Sequence, residues 1–319
     1  MTKRTLAAIV AVLALAPLAS GQIAATVLDI DPGVRALGVG GAAVSLAEGA
    51  ETLYYNPAGL ARLSGISLTS SYASHLGLGN YGALGLAFKN WGIGVLNFGS
   101  GDIGGYDDEG NPTGTTLSYG STAFLMAFGL SPSQLPFLPA LPFDFSVGMR
   151  FKYLTGNIGE TGGSGFAVDL SYWMAFPDMR FGPIALSDLS LGVAANELLG
   201  SISFGAESES LGMGLVVGAS ARVAGAVLVA LDLDLARQGV RLGAEYQPIP
   251  ALAVRAGILA RPVGMTVTLG LGMSIEGIQI DYAFASHPFL GGSHRISLAI
   301  DFTGFDLAAI GRNLRNLIR

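Results

Sequence analysis

The sequence predicts an all-β chain: a single transmembrane antiparallel β-barrel of about fourteen strands, with an N-terminal hatch in its lumen and a short C-terminal helix. Three observations carry that expectation. From about Val227 to Phe302, short segments recur in which alternate positions are apolar and the intervening positions hold every charge. Half of the 319 residues are hydrophobic and mean hydropathy is +0.53. Yet beyond residue 21 no apolar run reaches the ~18 residues that a membrane helix needs. Finally, turn residues cut the chain into pieces of strand length.

The alternation is plain in Val227-Leu228-Val229-Ala230-Leu231-Asp232-Leu233-Asp234-Leu235, where one face is Val and Leu and the other ends in two aspartates. Strand side chains alternate with period two, so the aspartates point away from the aliphatic face. Ile278–Phe284 and Ile296–Phe302 repeat the pattern with a large, aromatic apolar face. The longest helical challenger, Leu211 to Leu235, is broken by Gly212, Gly214, Gly218, Arg222, Gly225, Asp232 and Asp234. An Arg or Lys on a barrel's lipid face costs roughly 2–4 kcal/mol at the midplane, so charges belong in the lumen. The last six strands assign Asp232, Asp234, Arg241, Glu245, Arg255, Asp281, Arg295 and Asp301 to that inner face. Acidic and basic strands alternate, which suits cross-strand pairing. The other inner positions are mostly Gly, Ala, Ser or Thr, leaving space for a narrow water-filled lumen or for another segment.

Taken from the N-terminus, Lys3 and Arg4 precede an apolar run from Leu6 to Leu18 and small residues at Ala19 and Gly21. Residues 1–21 read as a secretory signal peptide, leaving Gln22 first in the mature chain. The chain has no cysteine, which excludes a lipid-anchored cysteine and a disulfide framework. Residues 22–62 do not alternate and read as the hatch, or plug. They include Gly38, Gly40, Gly41 and the run Tyr54-Tyr55-Asn56-Pro57-Ala58-Gly59-Leu60. Asn56-Pro57 reads as a turn, because proline fixes φ and an asparagine side chain can bond the nearby backbone. Gly38-Val39-Gly40-Gly41-Ala42 lacks the strand and third glycine of a phosphate-cradling loop.

Residues 63–302 form the barrel, with strands near 66–74, 81–89, 91–99, 121–130, 143–154, 165–175, 188–196, 211–222, 226–236, 239–247, 251–260, 264–274, 277–286 and 294–302. An even count returns both ends to the periplasmic side. Tight links around Asn90, Gly225, Pro248 and Glu276 suit periplasmic turns, and the stretches 100–120, 155–164, 197–210 and 287–293 read as outer loops. The Pro-rich link from Ser131 to Pro142 and the link from Pro177 to Leu186 are long for periplasmic turns. Residues 303–319 read as an amphipathic helical tail, with Leu307, Ile310, Leu314 and Leu317 on one face and Arg312, Arg315 and Arg319 supplying positive charge. Such a tail would close the periplasmic mouth, lie on the inner leaflet or dock a partner.

Catalysis finds little footing. The histidines are His75, His287 and His294, and none stands in a nucleophile or metal-binding spacing. His294 and Ser297 are three apart on a strand and face opposite sides. Asp107-Asp108-Glu109-Gly110-Asn111 departs from calcium-loop spacing and reads as a hydrated turn. No enzyme activity, cofactor or metal is expected. Loss of Lys3 and Arg4 takes the net charge from −6 to −8, which disfavours nucleic acid. Aromatic residues such as Tyr72, Trp91, Tyr153, Tyr246 and Phe302 lie near strand ends and suit interfacial girdles. In the N-terminal half, Leu84, Leu86, Phe88, Leu96, Phe98, Phe124 and Phe128 are candidates for an apolar pocket.

The order Ala36-Leu37-Gly38-Val39-Gly40-Gly41-Ala42, then Asn56-Pro57-Ala58-Gly59-Leu60, then strands ending in His294-Arg295-Ile296-Ser297-Leu298, resembles the PorV/PorQ family. That family is similar to the FadL-type hydrophobic-compound transporter superfamily. The resemblance implies a fourteen-stranded barrel of the bacterial outer membrane, with Asn56, Pro57, Ala58 and Gly59 in a hatch inside the lumen. It also implies two candidate functions. One is passage of small hydrophobic molecules across the outer membrane, with lipid and a hydrophobic ligand as partners. The other is a PorV-like non-transporting accessory or anchor barrel that binds secretion-system proteins.

Overall fold

A computed structural model describes residues 26–46, 48–134, 144–287 and 291–303. The signal peptide expected at 1–21, most of the Pro-rich link and the tail from 304 onward lie outside the described residues. Fourteen strands make the wall: β1 Ser67–His75, β2 Gly79–Phe88, β3 Trp91–Ser100, β4 Tyr119–Leu130, β5 Phe145–Ile158, β6 Thr161–Ala175 and β7 Ile184–Phe204 form the first half. The second half is β8 Gly214–Val223, β9 Val227–Asp234, β10 Gly239–Ile249, β11 Leu252–Arg261, β12 Gly264–Ile275, β13 Ile278–His287 and β14 Gly291–Asp301. Each pairs antiparallel with its neighbours in sequence, and β14 pairs with β1 from Ser67↔Asp301 to Ser74↔His294. The sheet therefore closes on itself and leaves no edge strand, which is what a backbone in hydrocarbon requires.

The two faces differ as alternation demands. On β9, Leu228, Ala230, Asp232 and Asp234 are buried inside, whereas Leu231 and Leu233 stand exposed outside. Around the circumference the exterior carries Tyr72, Ile93, Phe151, Val254, Leu269 and Ile296. A belt of this kind far exceeds the apolar patch a water-soluble monomer tolerates, and lipid is the solvent that suits it. This belt corrects the apolar-pocket expectation. Leu84, Leu86, Phe88, Phe124 and Phe128 alternate with the buried Ala83, Ala87, Ala123 and Ala127 and so face outward; of the seven, only Leu96 and Phe98 pack inward.

We call the end bearing the turns at Lys89-Asn90, Gly225 and Gly277 the base, and the opposite end the rim. Two stretches read as outer loops are paired strand instead. β5 and β6 run on to a turn at Gly159-Glu160, and β7 extends to Phe204, where it pairs with Glu207–Ser210. Their Gly, Ser and Thr residues carry a weak strand signal, but the ladder is continued by the hairpin partner. In the 100–120 stretch a two-stranded ribbon, Ile103–Tyr106 with Pro112–Leu117, stands on the rim.

Inside the wall lies the N-terminal segment. A short 3₁₀ turn, Val27–Asp29, sits near the rim, where Thr26 and Asp29 form a reciprocal capping box. The helix α1, Val34–Gly38, is halted by Gly40 and Gly41, both at positive φ, and the Gly41 N–H closes back on the Ala36 carbonyl at 2.8 Å. The helix α2, Thr52–Tyr55, leads to a second 3₁₀ turn, Pro57–Arg62, and the chain then enters β1 at the base. Leu53, Tyr54 and Leu60 pack with Tyr81, Leu96, Leu125, Leu154 and Ile202 in the apolar core between this segment and the first half of the wall.

Candidate functional site

The lumen contents are the chemically distinctive part of the molecule. Asn56 is fully buried at the turn between α2 and Pro57–Arg62. Its Oδ1 accepts from the Ala58 N–H at 3.2 Å, and its Nδ2 donates to Val44 O at 2.7 Å and to Tyr172 O on β6 at 3.0 Å. One side chain thus caps a turn, joins two parts of the segment and ties both to the wall. Pro57 occupies the first position of the turn, where its missing N–H costs nothing. Ala58 and Gly59 are buried beside it, and the Ala58 N–H also donates to Ser171 Oγ at 3.0 Å.

The inner wall is shaped to touch backbone. A Cβ at Gly243 would land on Val39, at Gly257 on the Gly40 nitrogen, at Gly192 on the Val44 carbonyl and at Gly148 on Ala58. Close backbone approach requires glycine at these positions because any side chain would occupy the segment's own volume.

Charges hold the segment on the other side. The structure places seven of the eight inward charges of the last six strands in buried positions, and Asp301 at the water-exposed base. Asp232 Oδ2 accepts from the Ala43 and Val44 N–H groups at 2.8 and 3.0 Å, so a wall carboxylate binds segment backbone. Asp234 pairs with Arg241 at 3.2 Å. Glu245 sits between Arg255 at 2.6 Å and Arg35 of α1 at 2.9 Å, and Arg255 reaches on to Asp281 at 2.5 Å. Arg295 donates to the Asp31 carbonyl and lies over the Tyr81 ring, 5.7 Å from its centre.

Sequence reasoning missed an equivalent cluster in the first half. Arg150 is buried with Nε 2.6 Å from Asp169, and it donates to the Leu53 carbonyl at 2.8 Å and to that of Tyr54. Lys152 pairs with Asp169 at 2.9 Å and with Glu197. The signal was present: Met149-Arg150-Phe151-Lys152-Tyr153 alternates as clearly as the later strands. The segment's own ionisable groups respond to this setting. Burial opposes charge on Arg35, but Glu48 and Glu245 outweigh it and hold its pKa well above the usual value. Arg35 in turn holds Glu48 low. Glu51 is pushed up to about 7, first by burial and then by Asp281.

Cavities remain around the segment on both its rim and base sides. On the rim side, a cavity of about 120 Å³ is lined by Leu28, Tyr54, Leu125, Arg150, Arg241 and Arg261 among others. Tyr54 Oη, packed against Gly85 of β2, and Arg241 Nε are buried with no hydrogen-bond partner among the described residues. On the base side, two crevices of about 300 Å³ each share Arg35, Glu48, Ser274 and Gln279. No group of three metal-ligating side chains occurs among the described residues. The Asp107 carboxylate on the rim is taken up by the Glu109 and Asn111 N–H groups at 3.1 and 2.7 Å, which hold its pKa low and build a turn. His294 faces outward and bonds Tyr282 Oη at 2.7 Å.

No family model matches the chain, and no curated protein does. Solved structures do match. The toluene transporter TbuX of Ralstonia pickettii is 12% identical with a TM-score of 0.53, over 85% of this chain and 98% of that one. The deltaS2S3 mutant of the TodX monoaromatic hydrocarbon channel is 13% identical with a TM-score of 0.53, over 86% of this chain and all of that one. What is shared is the fold. At such identities the substrates of those channels do not carry over residue by residue.

Proposed function

We propose that this chain is a bacterial outer-membrane barrel that passes small hydrophobic molecules inward, and that its N-terminal segment is the gate. The base then faces the periplasm. The observation that carries this reading is a lumen closed by its own segment, with a cavity left above the closure on the rim side. That cavity combines apolar groups, Leu28, Ile30, Leu96, Leu125 and Val216, with a strongly charged side that includes Asp29, Arg150, Lys152, Glu197, Asp234 and Arg241. Such a lining suits a small amphipathic molecule whose polar end meets the charged side and whose apolar part lies on the leucines. Passage requires the segment to yield, because Leu53 and Leu60 fill the lumen toward the base.

The shared fold with TbuX and TodX supports the reading, as does the resemblance to the FadL-type superfamily, whereas the resemblance to the PorV/PorQ family favours a non-transporting accessory barrel. The accessory reading draws support from a different observation. Wall groups from β1, β4, β5, β6, β9, β10, β12 and β14 all hydrogen-bond the segment, which is firm fastening for a part that must move. Mass spectrometry of small molecules that co-purify in mild detergent separates the two, with a variant lacking residues 22–62 for comparison. A defined ligand present in the full chain and lost with the segment is the expected result. Bulk lipid alone in both samples would overturn the transport reading and favour the accessory one.

A further inference from the structure

The charged side chains that line the rim cavity are matched, with two exceptions. Arg237 takes Asp29, Arg241 takes Asp234 at 3.2 Å, Lys152 takes Glu197, and Arg150 turns to Asp169 at 2.5 Å. Asp31 and Arg261 line the same cavity and make no ion pair among the described residues. Both are partly buried, and the Nε of Arg261 is buried with no hydrogen-bond partner there. The two do not reach each other, although the charge of Asp31 acts on Arg261.

Each exception is held in place by its surroundings. Asp31 precedes Pro32, which confines its backbone to extended geometry. The Asp31 carbonyl accepts from Arg295, and that of Pro32 accepts from Ser71 Oγ at 2.8 Å. Arg261 ends β11, and its stem packs over Gly239 of β10, where a Cβ would lie 3.6 Å from its Cγ. Arg241 adds a second guanidinium, 7% exposed, with Nη2 on Asp234 and Nε free of any partner among the described residues. It stands close to Asp31: a Cβ on Gly41 would lie 3.0 Å from Asp31 Oδ2 and 3.4 Å from Arg241 Cδ. The cavity thus presents one unmatched carboxylate, two guanidinium groups with donors to spare, and the leucine side.

We propose that this cavity is a subsite for an α-amino acid with a short apolar side chain. Its ammonium sits on Asp31, its carboxylate on Arg261 and the Arg241 Nε, and its side chain on Leu28, Leu96 and Leu125. The inference rests on the transport reading and names the class of molecule that reading leaves open. A carboxylic acid without the ammonium would satisfy Arg261 but set its charge against Asp31, and an amine without the carboxylate would face Arg261 and Arg241. Like charges brought together out of bulk water oppose binding, and a molecule that carries both signs on one carbon avoids each penalty. Size agrees: a cavity of ~150 Å³ admits benzene, so about 120 Å³ suits a branched aliphatic chain such as that of leucine.

Isothermal titration calorimetry of the full chain in a mild non-ionic detergent tests this, with each ligand titrated directly. L-leucine should bind, while 4-methylpentanoate, which lacks the ammonium, and 3-methylbutylamine, which lacks the carboxylate, should each bind about tenfold more weakly or worse. Asp31→Asn should weaken leucine by about tenfold and leave 4-methylpentanoate as strong as before or stronger, and Arg261→Gln should do the same with 3-methylbutylamine in place of the acid. Loss of folding cannot weaken one ligand while sparing another, so this crossed pattern is specific to the two charges. Absence of saturable leucine binding, a truncated ligand that binds as tightly as leucine, or variants that weaken all three ligands alike would overturn the proposal. Leucine that binds but does not enter vesicles carrying the protein would fail the transport reading alone, whereas passage of another hydrophobic molecule with no leucine bound would fail this inference alone.

Discussion

Arg150→Met is the sharpest probe of how the segment is held. The side chain is 4% exposed and serves four partners: Asp169, the carbonyls of Leu53 and Tyr54, and Asn196 Oδ1 at 3.2 Å. Removing one partner of a buried ion pair costs ~3–5 kcal/mol, and an orphaned buried carbonyl ~1–3 kcal/mol. Asp169 keeps Lys152 at 2.9 Å and the Glu197 N–H at 2.8 Å, so its own loss is softened. We expect about 3 kcal/mol, a shift of about a hundredfold in the docking equilibrium of the segment. Trp173 reports it directly, because its Nε1–H donates to the Ser45 carbonyl at 2.8 Å and docking shields the ring. In a Trp91→Phe background, Trp173 fluorescence followed through a urea titration in lipid vesicles gives the midpoint. Replacing Arg150, Lys152 and Asp169 together by apolar residues, with Glu197→Gln, should recover much of the loss, since no buried charge of the cluster is then left alone. A midpoint for Arg150→Met within about 0.5 kcal/mol of the parent would refute the clamp.

Two further outcomes are expected. Gly257→Leu drives a side chain into Gly40 and Val39, so the segment should be expelled and single-channel conductance in planar bilayers should rise; the outward Ile258→Leu should change nothing. Glu51 has its folded-state pKa raised from 4.5 to about 7, so its contribution is complete below about pH 4.5 and is lost as pH rises through 7. The segment should therefore hold best in acid and loosen toward pH 8 by up to about 3 kcal/mol. Glu51→Gln should flatten that dependence, and a Trp173 midpoint equally pH-dependent in the variant would show that another group is responsible.

The strands are legible because period-two sorting survives through most of the wall, down to the Gly-rich β2 and β3; in β7 bulges at Ser187–Ser190 and Ala195–Leu199 break it. What alternation alone leaves open is which face is inside. In β9 the aspartates decide it. In β2 and β4 no charge marks a side, and an inward pocket of Leu84 and Phe124 fails because their glycine and alanine neighbours take the crowded interior. Arg150, Lys152 and Asp169 sit on strands whose alternation is as clear as that of the second half, Arg150 and Lys152 alternating with Met149, Phe151 and Tyr153. The hatch was legible as a stretch without alternation, and Asn56 as a turn former. Its bonds to Val44 and Tyr172, 12 and 116 residues away in sequence, are tertiary and leave no local trace. Its helices of five and four residues are too short for periodicity to register.

The glycine track on the inner wall has a consequence for how the molecule is made. Gly40 bonds Thr268 across 228 positions, and Ala43 bonds Asp232 across 189. The segment is synthesised first, yet its partners arrive last. Loop-closure entropy and high contact order both place such pairings late in folding. Once β14 has zipped to β1, nothing as bulky as α1 with its Arg35 can be threaded past a wall fitted to bare backbone. The seam must therefore close around the segment, and a chain that closes too early would be a sound cylinder with the wrong contents.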